Sequence, residues 1–258
     1  MNLNLNDRHF LITGASSGFG AAIARTLLDE GAACTVVARR EAELKNIFSD
    51  AAERVDFIAG DLTEQEFLQS LISHIQNSSF TGAVLNAGGP PTGTPLETDI
   101  AQWDDAYRLV MRWKIELALA LAPKLVDNGY GRILFVESKS VKQPLPALVL
   151  SNSFRAGVVG FAKSLALEVA RNGVTVNVIA PGAHQTPAIE RVIQKKSETA
   201  GISYDEARKL TEKAVPVGRM GQAEELASLA AWLLSEESGY VTGQTISHDG
   251  GAISGLFG

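Results

Sequence analysis

Short apolar runs alternate along the chain with longer segments in which apolar residues recur every three or four positions. These longer segments predict helices, the two longest at about Ile100–Val126 and Asn152–Arg171. Because a helix between two parallel strands packs against their sheet, the alternation predicts an α/β fold with a doubly wound, seven-stranded parallel sheet and helices on both faces. The predicted strands are Phe10–Ile12, Cys34–Ala38, Val55–Ala59, Gly82–Leu85, Arg132–Val136, Val174–Ile179 and Gln244–His248.

The alternation covers nearly the whole chain, without a linker, a repeat or a low-complexity segment. We therefore predict a single domain over residues 1–258. The irregular part is the polar segment 183–219, which contains two predicted short helices. An insertion after a late strand lies on the ligand side of such a sheet, so we interpret the segment as a substrate lid. A surface excursion without that role is the alternative.

The composition excludes several classes of partner. The chain has 258 residues, is 45% hydrophobic and carries a net charge of −6. Binding to nucleic-acid phosphates needs a basic surface, so we expect no nucleic-acid partner. Cys34 is the single cysteine, and the longest apolar stretch, Ile115–Pro123, is too short to span a bilayer. We expect a cytoplasmic protein without a signal peptide, a membrane segment or a metal site.

A glycine-rich turn follows the first predicted strand and opens the first helix. Glycines allow a tight turn and let a pyrophosphate approach the backbone, while the helix start offers free N–H groups. This context predicts a dinucleotide site rather than an incidental loop. The turn follows Thr13, and its predicted phosphate-binding residues are Gly14, Ser16, Ser17, Gly18, Phe19 and Gly20.

The spacing Thr-Gly-x-x-x-Gly-x-Gly resembles that of the short-chain dehydrogenase/reductase family, and further family motifs follow over essentially the whole chain. The resemblance implies a Rossmann fold, a nicotinamide dinucleotide, a small carbonyl or alcohol substrate, and a homodimer or homotetramer. Three motifs of the C-terminal part match at Pro216–Met220, Tyr240–Gly243 and Asp249–Gly251. Cofactor contacts are implied for Asp61, Leu62, Asn86, Ala87, Gly88, Pro181, Gly182 and Thr186.

The end of the second predicted strand indicates which dinucleotide is bound. An acidic residue there would bind the 2′-hydroxyl of NAD and repel a 2′-phosphate. This chain has Ala38 followed by Arg39 and Arg40, and an arginine can pair with the phosphate. We therefore predict NADP(H); the alternative is that both arginines only form a solvated helix start.

The catalytic positions of the family are altered. The resemblance implies a serine at the end of the fifth strand, and Ser138 matches it. The family's Tyr-x-x-x-Lys pair falls on Ser151 and Arg155, and its asparagine falls near Val110. A serine hydroxyl is a far weaker acid than a tyrosine, and arginine cannot act as a base. Arg155 can still hold ribose hydroxyls or a substrate carboxylate, since it shares a helix face with Ser151.

Other side chains can replace the missing proton donor. His184 and Lys139 are the main candidates, and Lys142, Lys114 and Tyr204 are weaker ones with an alternative as surface or loop residues. We expect an NADP(H)-dependent oxidoreductase with a non-standard proton relay. The alternatives are a catalytically weak or silent NADP(H)-binding protein, serving as a sensor or an assembly subunit, and a non-redox lyase or isomerase.

Overall fold

The structure, a computed structural model, describes residues 3–256; positions 1, 2, 257 and 258 of the predicted domain lie outside the described residues. Its sheet has the strand order β3-β2-β1-β4-β5-β6-β7, and every pairing is parallel. This confirms the predicted doubly wound, seven-stranded Rossmann fold. The strands are β1 His9–Thr13, β2 Ala33–Ala38, β3 Val55–Ala59, β4 Gly82–Asn86, β5 Gly131–Val136, β6 Val174–Pro181 and β7 Thr245–His248.

The helices correspond to the amphipathic segments. The long predicted helix Ile100–Val126 is two helices joined by a π-helical turn at Arg108–Arg112, and the predicted helix Asn152–Arg171 begins at Val149 and ends at Val169. The helices are α1 Gly18–Asp29, α2 Glu41–Ile47, α3 Gln65–Asn77, α4 Ile100–Tyr107, α5 Trp113–Asp127, α6 Val149–Val169, α7 Pro187–Ala200, α8 Tyr204–Lys213 and α9 Ala223–Leu234.

Apolar cores lie on both faces of the sheet because consecutive strand residues point to opposite sides. In β1, Phe10 and Ile12 belong to the core beneath α1 and α9, whereas Leu11 belongs to the core beneath α3, α5 and α6. These side chains are fully buried, and each contributes about 1.5–3 kcal/mol to stability. The sheet is therefore buried on both faces, and the loops at its carboxyl edge follow directly from its strands.

The strand order reverses between β1 and β4, which are neighbours in the sheet although β2 and β3 separate them in sequence. Ligands of open α/β sheets bind in the crevice at the carboxyl ends of the strands, at such a switch point. The same edge carries the segment 183–219, in which α7 and α8 are the two predicted short helices. No helix within residues 3–256 is long and apolar enough to cross a membrane.

Candidate active site

The glycine turn is held at the switch point by hydrogen bonds between β1 and β4. Thr13 Oγ1 donates to the carbonyl of Asn86 over 2.9 Å and accepts from the Asn86 amide over 2.8 Å. Gly14 follows with φ +65°, and a Cβ atom there would lie 2.8 Å from Asn86 Nδ2. A Cβ atom on Gly20 would lie 2.3 Å from the Gly14 carbonyl oxygen. The turn therefore needs glycine at both positions to pack this closely.

The N-terminus of α1 points its positive dipole end at this turn. Ser17 precedes the helix and makes no side-chain capping hydrogen bond, so no serine oxygen competes for the first N–H groups. A Cβ atom on Gly18 would meet the side chain of Thr186 at 3.5 Å, which brings the start of α7 over the turn. The predicted cofactor residue Pro181 ends β6 and Gly182 follows it, and the Gly182 amide donates to the carbonyl of His248. This arrangement fits a pyrophosphate at the turn.

The two arginines after β2 have different surroundings. Arg40 donates from Nη2 to Ser16 Oγ over 3.1 Å and pairs with Glu43, so it reaches the glycine turn. Arg39 is 76% exposed and lies 3.7 Å from the carboxylate of Asp61. Arg40 thus contacts the glycine turn directly, whereas Arg39 lies beside Asp61 at the end of β3.

Residues after β3 and β4 line the neighbouring part of the edge. Asp61 Oδ1 accepts from both the amide and the hydroxyl of Thr63, which fixes the carboxylate at the end of β3. Leu62 and Ala87 pack against the core beneath α3, α5 and α6. The carbonyl of Gly88 accepts a hydrogen bond from the guanidinium of Arg155 over 3.0 Å, which links this loop to α6.

Arg155 donates hydrogen bonds to three neighbouring residues at the centre of the site. Its Nε donates to Ser151 Oγ over 3.0 Å, and its Nη1 donates to the carbonyl and the carboxylate of Glu137 over 3.1 and 3.0 Å. Arg155 is only 5% exposed, so these bonds form away from bulk water. Ser138, the residue after Glu137, accepts from the amide of Ser140 over 3.2 Å. The structure therefore brings Ser151 and Arg155 together and ties them to the strand end that carries Ser138.

Two further buried charges belong to this group: Lys114, a weaker candidate of the sequence analysis, and Glu137, which was absent from the predicted site. Glu137 lies between Arg155 and Lys114, and its Oε1 accepts from the Lys114 ammonium. Lys114 is wholly buried, so the alternative of a surface residue is wrong. Burial lowers the pKa of Lys114 to about 8, Arg155 adds to that shift, and Glu137 opposes it. An acidic residue that extends a fully buried strand was the available signal for Glu137.

The two main candidates for the missing proton donor, His184 and Lys139, have different surroundings. His184 is buried, its Nε2 is 2.8 Å from Nδ1 of His248, and its ring packs edge-on against Phe19 at 5.1 Å. Burial, with His248 nearby, lowers the pKa of His184. Lys139 is partly exposed in the 3₁₀ turn that follows Ser138. No hydrogen bond or ion pair joins His184 to Arg155, Ser151 or Glu137 among residues 3–256, and the catalytic role of His184 stays a prediction.

Comparisons with known proteins agree with the fold. A family model described as Enoyl-(Acyl carrier protein) reductase matches residues 14–252. The 3-oxoacyl-(acyl-carrier-protein) reductase FabG of Haemophilus influenzae is 31% identical over 243 residues, which are 93% of this chain and 96% of that protein. L-sorbose reductase from Gluconobacter frateurii, solved with NADPH and L-sorbose, has a TM-score of 0.92 at 28% identity over 99% of this chain and all of its own. An actinorhodin polyketide ketoreductase with NADPH has a TM-score of 0.89 at 30% identity, over 95% of this chain and 97% of its own.

These matches cover almost the full length of each similar protein, and they agree with the glycine turn and the strand order described above. The chain belongs to the short-chain dehydrogenase/reductase family, a family of oxidoreductases.

Proposed function

We propose that the protein is an NADP(H)-dependent oxidoreductase that interconverts a carbonyl compound and its alcohol. The observation that carries this proposal is the hydrogen-bonding state of two serine hydroxyls. Ser151 Oγ accepts from Arg155, and Ser138 Oγ accepts from the amide of Ser140. Neither donor can take a proton back, and neither hydroxyl donates to another residue of the described chain. Both hydroxyl protons are therefore free to bind a substrate oxygen.

Two hydroxyls with free protons can stabilise the alkoxide that develops when a carbonyl group is reduced. The bound cofactor supplies the hydride, and hydride addition to a carbonyl carbon leaves negative charge on its oxygen. Ser138 and Ser151 stabilise that charge by donating hydrogen bonds, and the guanidinium of Arg155 adds positive charge behind Ser151. Arginine keeps its proton at working pH, so the proton that completes the alcohol comes from water or from Lys139. The non-standard proton relay is this supply of the proton from outside the pair of Ser151 and Arg155.

The cofactor is assigned from the glycine turn, the two arginines after β2 and Arg155. The glycine turn and the start of α1 hold the pyrophosphate, and Arg39 and Arg40 hold the 2′-phosphate of NADP(H). Four of the five N–H donors of Arg155 are engaged by the protein, and the fifth is assigned to a ribose hydroxyl. The presence of NADPH in the two related reductases supports this choice. Adenine and nicotinamide contacts are assigned to Asp61, Leu62, Asn86, Ala87, Pro181, Gly182 and Thr186.

The larger organisation is also part of the proposal. The chain works as one dinucleotide-binding domain, with the segment 183–219 as the substrate lid. Thr186, the residue that precedes α7 in this lid, lies beside the glycine turn. Leu119 on α5 is 55% exposed and Leu167 on α6 is 74% exposed. Exposed leucines on the two long helices support assembly through them into a homodimer or homotetramer. Light scattering of the purified protein measures this state.

The test is turnover and binding on the purified protein. We expect NADPH to be consumed with one or more members of a panel of ketones, keto sugars and β-keto thioesters, and NADP⁺ to be reduced with the matching alcohols. NADPH should bind more tightly than NADH. Tight NADPH binding without any turnover would instead identify a silent binding protein, and turnover without cofactor oxidation would identify a lyase or isomerase.

A further inference from the structure

Three charged side chains meet beneath the proposed site, and the oxidoreductase chemistry described so far uses only one of them. Lys114 on α5, Glu137 after β5 and Arg155 on α6 are all nearly or wholly buried. The Glu137 carboxylate pairs with Lys114 through Oε1 and with Arg155 through Oε2. Buried ions are costly and persist only when they are paired and hydrogen-bonded. The arrangement of these three charges thus requires an explanation.

Glu137 holds Arg155 at two points. Its carbonyl and its carboxylate both accept from Nη1, at 3.1 and 3.0 Å, so the guanidinium plane is fixed by one residue. With Nη1 fixed, the rigid fork of the guanidinium directs Nε to Ser151 Oγ and Nη2 to the Gly88 carbonyl. The orientation of the Ser151 hydroxyl follows, because its oxygen must accept from Nε and its proton must point elsewhere.

We propose that Glu137 is a positioning residue, which orients Arg155 and through it the hydroxyl of Ser151 toward the substrate oxygen. The inference rests on the proposed function for its effect on turnover, and on geometry alone for its effect on Arg155. Lys114 binds the second carboxylate oxygen, so that Glu137 is fully paired and the buried group keeps a net positive charge.

A proton relay through the same residues is excluded by chemistry. Among residues 3–256, the hydrogen bonds that link Lys114 and Glu137 to Ser151 run through the guanidinium of Arg155. Arginine does not release a proton in proteins. Along this path Glu137 and Lys114 act on geometry and electrostatics and pass no proton to Ser151.

Three variants separate the effect of the position of Arg155 from the effect of the net charge of the buried group. Glu137→Leu combined with Lys114→Met removes the carboxylate and keeps the net buried charge at the wild-type value, because one anion and one cation are lost together. Glu137→Gln with Lys114→Met restores an acceptor of the original shape. Lys114→Met alone leaves the pair of Glu137 and Arg155 intact. Asp50→Asn, which breaks the exposed pair with Arg25, controls for loss of an ordinary ion pair.

The first readout needs no activity. In ¹H–¹⁵N spectra the buried Nε–H of Arg155, assigned by its absence in Arg155→Lys, should give a sharp and slowly exchanging signal. We expect this signal in the wild type, in Lys114→Met and in Asp50→Asn. The Leu/Met variant should lose it, and the Gln/Met variant should regain it at least in part.

The second readout is kinetic. In the Leu/Met variant kcat should fall by about 10-fold to 10²-fold, because a misplaced donor loses most of its effect on the transition state. NADPH affinity should change less than kcat, since the glycine turn, Arg39 and Arg40 are untouched and only the proposed ribose contact of Arg155 is affected. The Gln/Met variant should recover part of kcat, which a purely structural role of Glu137 does not predict.

The outcomes separate the two proposals. An unchanged Arg155 signal in the folded Leu/Met variant, or an unchanged kcat in that variant, overturns the positioning role and leaves the oxidoreductase proposal standing. A wild-type protein that binds NADPH and turns over nothing overturns the oxidoreductase proposal, while the spectra still decide whether Glu137 orients Arg155. Loss of the signal with partial rescue by glutamine supports the inference.

Discussion

Nε of Arg155 donates to Oγ of Ser151, 3.0 Å away and one helical turn earlier on α6. The pair occupies the positions where the family resemblance implies a lysine and a tyrosine, and it presents a hydroxyl whose proton is free. If this hydroxyl binds the substrate oxygen, its removal costs transition-state stabilisation and little ground-state binding.

Ser151→Ala tests this role directly. We expect kcat/KM to fall by about 10²-fold, the usual cost of removing one oxyanion donor, with the affinity for NADPH nearly unchanged. Ser138→Ala should behave in the same way. Ser164→Ala is the matched control, because Ser164 is an exposed serine on the same helix whose hydroxyl, among residues 3–256, bonds only to the carbonyl of Gly160. Wild-type kinetics in Ser151→Ala would refute the two-serine site.

Cofactor choice depends on the arginines after β2. Replacing Arg40 by alanine removes the cation that reaches Ser16, and we expect the Kd for NADPH to rise by about 10-fold or more while that for NADH changes little. Arg39→Ala should show the same selectivity. Fluorescence titration of both cofactors at several salt concentrations measures the effect.

Arg171→Ala, at an exposed arginine of the short 3₁₀ helix that follows α6, should leave both constants unchanged. A wild-type protein that binds NADH as tightly as NADPH contradicts the assignment of the 2′-phosphate site.

The glycine turn gives a stability prediction with an internal control. In Gly20→Ala the new methyl group would lie 2.3 Å from the Gly14 carbonyl oxygen, so the backbone must shift. We expect a loss of about 1–3 kcal/mol of unfolding free energy and much weaker NADPH binding. Gly160→Ala adds a methyl group on α6 into open space and should stabilise the protein by about 0.5–1 kcal/mol. Urea unfolding compares the two, and an unperturbed Gly20→Ala variant would contradict the close packing.

The buried Lys114 makes stability depend on pH. Burial lowers its pKa to about 8, whereas a lysine in an unfolded chain titrates near ~10.4. Between these values the unfolded chain binds more protons than the folded protein, so this residue makes the unfolding free energy rise as pH increases from about 8 to ~10.4. Below this range Lys114 is protonated in both states and contributes no slope.

The difference between wild type and Lys114→Met, measured by urea unfolding across this range, isolates the effect. We expect the variant to lack the rise. Lys45→Met, at an exposed lysine of α2 paired with Glu41, should follow the wild-type curve. Parallel curves for wild type and Lys114→Met would show that Lys114 keeps an ordinary pKa in the folded protein.

Local patterns were enough to predict much of the fold. The strand Val55–Ala59 has its predicted bounds, and the other strands differ at their ends by at most two residues. The helix boundaries were harder, because the π-helical turn at Arg108–Arg112 leaves the apolar periodicity nearly unchanged while dividing the helix in two. The start of α6 at Val149 also precedes the predicted start, since the apolar residues there suit a loop as well as a helix turn.

The chain alone determined the order of elements, the glycine turn and the family, because each depends on residues that are close in sequence. It also showed that Ser151 and Arg155 stand where the family resemblance implies a tyrosine and a lysine. Only the tertiary structure decided that Glu137 and Lys114 belong to the same group, since they are 23 positions apart and meet where β5 ends against α5. Sequence spacing cannot report such a contact, because the energy of a buried charge depends on what the fold places beside it.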